Sequence, residues 1–371
     1  MKKGLGLVLV LFLAIFLVIG CGEAPAEETP GEEAPEETPE EEPEEEAGVE
    51  GTQKLGLGVV TSIARSTDAN FDAGINPTAQ ADVIMAAVLF DEEGKVVSVT
   101  IDNAQTRVAF DEELQVATDT SQPGKTKREL GDDYGMINAS EIGKEWYEQI
   151  DELEAWMIGK TVEEIKNMPV KTRDESHQHV PDVPELETLV TITVEDYMAA
   201  VEYAYNNGIE VENAAAAGLG QNISTARSLG LDEDAGVDPM AQADTVMAAV
   251  AFDADGVVVG AQIDNAQIRI NYDAEGNVVS DRSAAPKTKV QLGDDYGMGN
   301  ISEIGREWYE QIASLEEWMI GKTVDEITGM PVRVVDDAHQ NVPDVPELET
   351  LVTITVESYL AAVAEAAENA R

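Results

Sequence analysis

VPDVPELETLVTITVE, residues Val180 to Glu195, recurs letter for letter at Val342 to Glu357. The same offset of 162 residues superimposes AQAD (Ala79, Ala241), IDNAQ (Ile101, Ile263), LGDDYGM (Leu130, Leu292), EWYEQI (Glu145, Glu307) and WMIGKTV (Trp156, Trp318), with no gap. The chain therefore carries two copies of one unit of roughly 160 residues, a size that supports its own core. A period this long marks a tandem duplication and excludes a solenoid, whose repeats run to about 20–50 residues.

Outward from the repeated segment, the pattern predicts an α+β unit. Thr188 to Thr193 is β-branched and reads as a strand, and Thr193, like Thr355 in the second copy, is placed to cap a final helix. That helix has Tyr197, Met198, Val201, Ala204 and Tyr205 on one face. On the N-terminal side, Pro181 and Pro184 keep the approach extended. Thr161-Val162-Glu163-Glu164 carries a capping box for a short helix. Ile142, Trp146, Ile150, Leu153 and Met157 recur at helical spacing, which predicts an amphipathic helix over Ser140 to Met157. Earlier still, Ala81 to Phe90 and Val96 to Ile101 are β-rich runs joined by Asp91-Glu92-Glu93-Gly94-Lys95, a hairpin repeated at Val246 to Ile263. A Gly-containing strand over Leu57 to Ile63 and a further strand over Thr106 to Phe110 complete the unit. The expected architecture is α+β, two tandem copies of an antiparallel-sheet domain with flanking helices, over 53–213 and 214–371. Asn206 to Ala217, at the border, reads equally as a hinge or as a helix end.

The first twenty residues place Lys2 and Lys3 before an apolar run from Leu5 to Ile19, the pattern of a secretory signal. Val18-Ile19-Gly20-Cys21 resembles a bacterial lipobox, which implies cleavage before Cys21 and its lipidation. Cys21 is the sole cysteine, so disulfides and thiolate metal sites are excluded. Residues 21–52 follow as an acidic tether rich in Glu and Pro, too polar to bury a core. At about 3 Å per residue it reaches up to roughly 90 Å. These features imply an extracellular protein held to the membrane by its lipid. With 74 Asp and Glu against 23 Lys and Arg, the net charge is −51, which argues against nucleic acid as a partner.

The order of elements, with GVVTSIARS, TKRELGDDYGM, EWYEQIDELEAWMIGKTVEE and LVTITVEDYMAAVEYA, resembles the FMN-binding domain family over residues 53 to 371. Its members include flavin-carrying subunits of sodium-pumping NADH:quinone oxidoreductase and tandem-domain lipoproteins of extracellular electron transfer. The family carries FMN esterified to the last threonine of an Asp-x-x-Ser/Thr-Gly-Ala-Thr motif by a flavin transferase. Carried onto this chain, the acceptors fall on Thr191 and Thr353, with Thr188 and Thr350 at the Ser/Thr position. Leu189-Val190 and Leu351-Val352 replace the Gly-Ala. The resemblance implies an electron carrier for a membrane quinone or NADH reductase, without substrate chemistry of its own.

An FMN phosphate in so acidic a chain needs local cations, and Lys125 and Lys127, with Lys287 and Lys289, are the candidates. Tyr134 and Met136, with Tyr296 and Met298, are candidates for stacking on the flavin ring. The threonines serve equally well as plain strand and cap residues. No catalytic triad, phosphate-cradling Gly-Lys-Ser/Thr loop or metal site is apparent, and His177-Gln178-His179 reads as a surface loop. A non-redox binding lipoprotein on the same fold is the alternative function.

Overall fold

The computed structural model describes residues 51–175, 177–337 and 339–371. The expected signal, Cys21 and most of the tether lie outside these residues. Among the described residues no helix is long and apolar enough to cross a membrane.

In the first repeat β1 (Thr52–Ser62), β2 (Thr78–Phe90) and β3 (Val96–Ala109) form an antiparallel meander. There follow α1 (Lys127–Leu130), α2 (Trp146–Met157), α3 (Val162–Lys166), the short pair β4 (Val170–Lys171) and β5 (Val180–Pro181), and α4 (Glu195–Asn207). The border segment forms a strand, β6 (Ile209–Glu212), which joins the free edge of β1. The second repeat has the same order: β7 (Ala216–Ser224), β8 (Met240–Phe252), β9 (Val258–Asn271), α5 (Lys289–Leu292), α6 (Trp308–Met319), α7 (Val324–Thr328), β10 (Val332–Arg333), β11 (Val342–Pro343) and α8 (Glu357–Glu368). The predicted α+β class with antiparallel sheets is the fold observed.

Three local expectations are corrected. The two runs Val96 to Ile101 and Thr106 to Phe110 are one strand, because buried Asp102 and Asn103 continue the ladder between them. The long helix starts at Trp146, where Glu145 and Glu148 form a capping box, and not at Ser140. Thr188 to Thr193 is not a strand: residues 184–189 are turns. The final helix starts after Val194, which makes no side-chain cap, while Thr193 Oγ1 donates to Gln178 O (2.6 Å).

Three apolar layers account for the packing. Ile84, Ala86, Val88 and Phe90 pack against Trp146, Ile150, Leu153, Val201 and Ala204 of the first repeat's helices. The second repeat has the matching layer around Val250, Trp308, Leu315 and Val363. The other faces of the two sheets meet each other: Ala81, Val83 and Met85 share one cluster with Ala243, Met247 and Ala249. The described residues from 51 to 371 are accordingly one compact unit, layered as helices, sheet, sheet, helices. Strands buried on both faces lose the polar alternation of a half-solvated sheet, which is why β2 is apolar nearly throughout.

Each last helix lies unusually close to its strand. A Cβ on Gly58 would stand 2.0 Å from Ala200 O, and one on Gly220 would stand 1.9 Å from Ala362 O. Only glycine fits these positions without moving the helix. Gly58→Ala is expected to lower stability by about 1–3 kcal/mol, the usual range for overpacking. Urea unfolding checks this, and an unchanged midpoint would show that α4 does not sit on β1.

Candidate functional site

The site starts from a helix cap. Thr126 caps α1 through a capping box with Glu129, and this fixes Lys127 as the first helical residue. Its side chain is buried, with Nζ 5.0 Å from the Tyr134 ring and 5.3 Å from the Trp146 ring. Trp146 is itself held by donating from Nε1 to Tyr197 OH (2.9 Å) on α4. The second repeat has the same box, with Lys289 Nζ 5.0 Å from Tyr296 and 5.1 Å from Trp308, and Trp308 bonded to Tyr359 (2.9 Å).

The floor is a polar extension of the helix-facing side of the sheet. Along β2, Ile84, Ala86 and Val88 give way to Asp82 and Gln80, paired across to Gln105 and Arg107 on β3. Gln80 Nε2 and Gln105 Nε2 donate to Asp82 (2.8 and 3.2 Å), and Arg107 Nε donates to Gln80 Oε1 (2.8 Å). Gln242, Asp244, Gln267 and Arg269 make the same network in the second repeat. Above this floor a cavity of about 240 Å3 opens between Gln105, Arg107, Lys125, Lys127, Asp133 and Tyr134.

The electrostatics are dominated by burial. Burial pushes the Lys127 amine down to about 8; Asp82 opposes the shift, and Arg65, in the loop after β1, adds to it. Lys289 is likewise lowered to about 8 by burial, against Asp244 and with Arg227. Neither ammonium makes an ion pair or hydrogen bond among the described residues. Arg65, Arg107 and Lys125 also have no carboxylate partner among them. Elsewhere in the unit Arg128, Lys144, Lys166, Lys171, Arg282 and Arg333 meet carboxylates, while Lys54, Lys160, Arg306 and Lys322 bond to carbonyls, a hydroxyl or an aromatic ring and form no ion pair among the described residues. Lys127 thus lies near Arg65, Arg107 and Asp82, and Lys289 near Arg227, Arg269 and Asp244, the same grouping of charges in both repeats.

Of the residues singled out from sequence, the structure thus brings together Lys127 with Tyr134 and Lys289 with Tyr296. Met136 and Met298 flank them, their amides held by buried Glu145 and by Glu307 (both 2.8 Å). Thr191 and Thr353 are held by side chains of α2 and α6. Thr191 donates from N and Oγ1 to Gln149 Oε1 (2.9 and 3.2 Å), and Thr353 likewise to Gln311 (2.9 and 3.3 Å). Thr188 and Thr350 are exposed in turns, and Thr355 is half-buried. Asp132 accepts from Tyr147 OH (3.0 Å), and no group of three potential metal ligands occurs among the described residues. Sequence reasoning missed Arg65, Arg107, Gln80, Asp82 and Gln105. The signal for Gln80, Asp82 and Gln105 was present in AQAD and IDNAQ, where these three polar residues fall at strand spacing in both copies.

No family model matches the chain, and no solved structure matches it. A chlorophenol reductase of Desulfitobacterium hafniense is 31% identical over 104 residues, which is 25% of this chain and 32% of that protein. The similarity thus spans about a third of the length of that relative.

Proposed function

We propose that the chain is a lipid-anchored extracellular protein that holds one FMN in each repeat and relays electrons. The observation that carries this reading is the gathering of Lys127 with Arg65 and Arg107, and of Lys289 with Arg227 and Arg269, around side chains that are largely buried and form no ion pair among the described residues. A flavin phosphate supplies the opposing charge, with Arg65, Arg107 and Lys125 around it. The cavity of about 240 Å3 takes the phosphate end, below the roughly 300 Å3 at which whole-ligand pockets begin. The flavin ring then lies at the rim, against Tyr134 and Met136. FMN, when bound, supplies one- and two-electron transfer; the protein's part is to hold its charged end and cover one face. The relative's name, a reductase, supports redox chemistry. The resemblance to flavin-carrying lipoproteins supplies the anchor at Cys21, a flavin transferase acting on Thr191 and Thr353, and a membrane quinone or NADH reductase as electron donor.

The mature chain, produced with a flavin transferase, is expected to be yellow. Colour released by denaturation means cleft binding alone. Flavin fluorescence that survives denaturation and disappears in Thr191→Ala/Thr353→Ala means an ester at those threonines. Protein that stays colourless after incubation with FMN overturns the reading. The small cavity then favours the second one, a non-redox lipoprotein that binds a small multivalent anion.

A further inference from the structure

We infer that the lysine arm of each cleft is positioned by the opposite repeat, so that each anion site is complete only in the presence of the other copy. The arm is the segment leading into α1, Gln122 to Lys127, and its equivalent leading into α5, Ala284 to Lys289. One end of each arm is tied within its own repeat by the capping threonine and by a buried aspartate. Asp102 Oδ1 accepts from Arg128 N (3.2 Å), and Asp264 Oδ1 accepts from Val290 N (3.1 Å). The other end crosses to the neighbouring repeat. Gly124 N donates to Ile223 O (3.0 Å) on β7, so close that a Cβ on Gly124 would stand 2.5 Å from Ile223 Cγ2. In the second arm, Thr61 Oγ1 on β1 donates to Pro286 O.

The two ties use equivalent positions with their chemistry exchanged. Gly124 and Pro286 correspond, as do Thr61 and Ile223. Where the arm has Gly, its own N–H bonds across. Where it has Pro, which has no N–H, the facing strand supplies a hydroxyl and the arm supplies its carbonyl. Ile223, whose partner arm donates, has no hydroxyl and needs none. The substitution of one member of each pair is thus answered by the other, and a crossed contact is kept in both directions. Lys125 and Lys287 each follow the tied residue directly. Thr61, in the first repeat, is therefore a positioning residue for the second repeat's cleft.

This inference rests on the clefts being anion sites only for its consequence on binding, and the test separates the two. The mature chain, its Thr61→Val variant and Thr61→Ser are pulse-acetylated, and each lysine is followed by mass spectrometry with and without inorganic phosphate. Thr61→Val replaces the hydroxyl by a methyl and keeps the β-branched shape. It is expected to raise the acetylation rate of buried Lys289 about 3- to 10-fold while leaving Lys127 unchanged. It is also expected to lower phosphate protection of Lys289 at least 3-fold and not that of Lys127. Thr61→Ser, which keeps the hydroxyl, is expected to match the parent. Equal effects on both lysines, an effect on Lys127 alone, or no effect overturns the crossed positioning. Absence of phosphate protection in the parent would count against the anion site, while the rates without phosphate still decide the positioning.

Discussion

Replacing Lys127 and Lys289 together by Met is expected to make the protein more stable and to abolish its capacity for anions. Both amines are brought down to about 8 from an ordinary 10.5, chiefly by burial. Below pH 8 the folded protein therefore carries two charges that its interior disfavours, and the aromatic rings beside each offset only part of that cost. Methionine keeps the length and the contact with the rings, and removes the charge. A gain of about 1–3 kcal/mol in urea unfolding at pH 7 is expected, alongside a loss of flavin or phosphate affinity of about 100-fold or more. The pH dependence supplies a second readout. Between pH 8 and 10.5 the unfolded chain holds the lysine protons and the folded chain does not, so parental stability rises over that window. The double variant lacks the rise. Should it prove less stable than the parent at pH 7, the ammoniums have internal compensation, and the argument from an unpaired cation fails.

The same balance of local and distant causes explains what could be read from the sequence. The hairpin at Asp91 to Lys95 and the capping box at Thr161 were legible because their bonds close within a few residues: Lys95 N to Asp91 Oδ1 (2.8 Å) and Glu164 N to Thr161 Oγ1 (3.3 Å). The segment Thr188 to Thr193 was misread because what holds it is remote. Thr191 bonds to Gln149 on α2 and Thr193 to Gln178, and no local propensity reports such partners. The shared layer between the sheets was visible in principle. Val83 to Phe90 is apolar without alternation, and an antiparallel strand with a solvated face would not be. The cleft was half legible for a related reason. Lys127 and Tyr134 lie close together in the chain, whereas Arg65, Gln80 and Arg107 reach the cleft from three separate places.

Glu316→Gln is expected to stabilise the protein strongly at pH 8 and hardly at all at pH 5. Its equivalent in the first repeat, Glu154, is buried between two cations: Arg128 Nη2 at 2.6 Å and the guanidinium of Arg371. The second repeat has Val290 in place of Arg128, and among the described residues Glu316 accepts only from Ile263 N (2.6 Å). Burial without a counter-charge raises its carboxyl to about 8. From pH 4.5 to 8 the folded chain holds this proton and the unfolded chain has released it, so stability falls as pH rises. Glu365, raised to about 7, and Asp102, raised to about 6, act in the same sense. Since Lys127 and Lys289 act oppositely above pH 8, these groups taken together contribute least near that pH. Glutamine keeps the acceptor for Ile263 N–H and removes the ionisation, so a gain on the order of 2–4 kcal/mol is expected at pH 8. Glu154→Gln is the contrasting variant, because there the change leaves Arg128 and Arg371 without their shared carboxylate. It is expected to lower stability at pH 8 by about 1–2 kcal/mol, less than a fully buried pair, because Arg128 keeps Asp151, Arg371 is half exposed and burial already raises the Glu154 carboxyl. If both glutamine variants shift the urea midpoint in the same direction at pH 8, the two carboxylates do not differ in ionisation, and the missing cation at Val290 is without consequence.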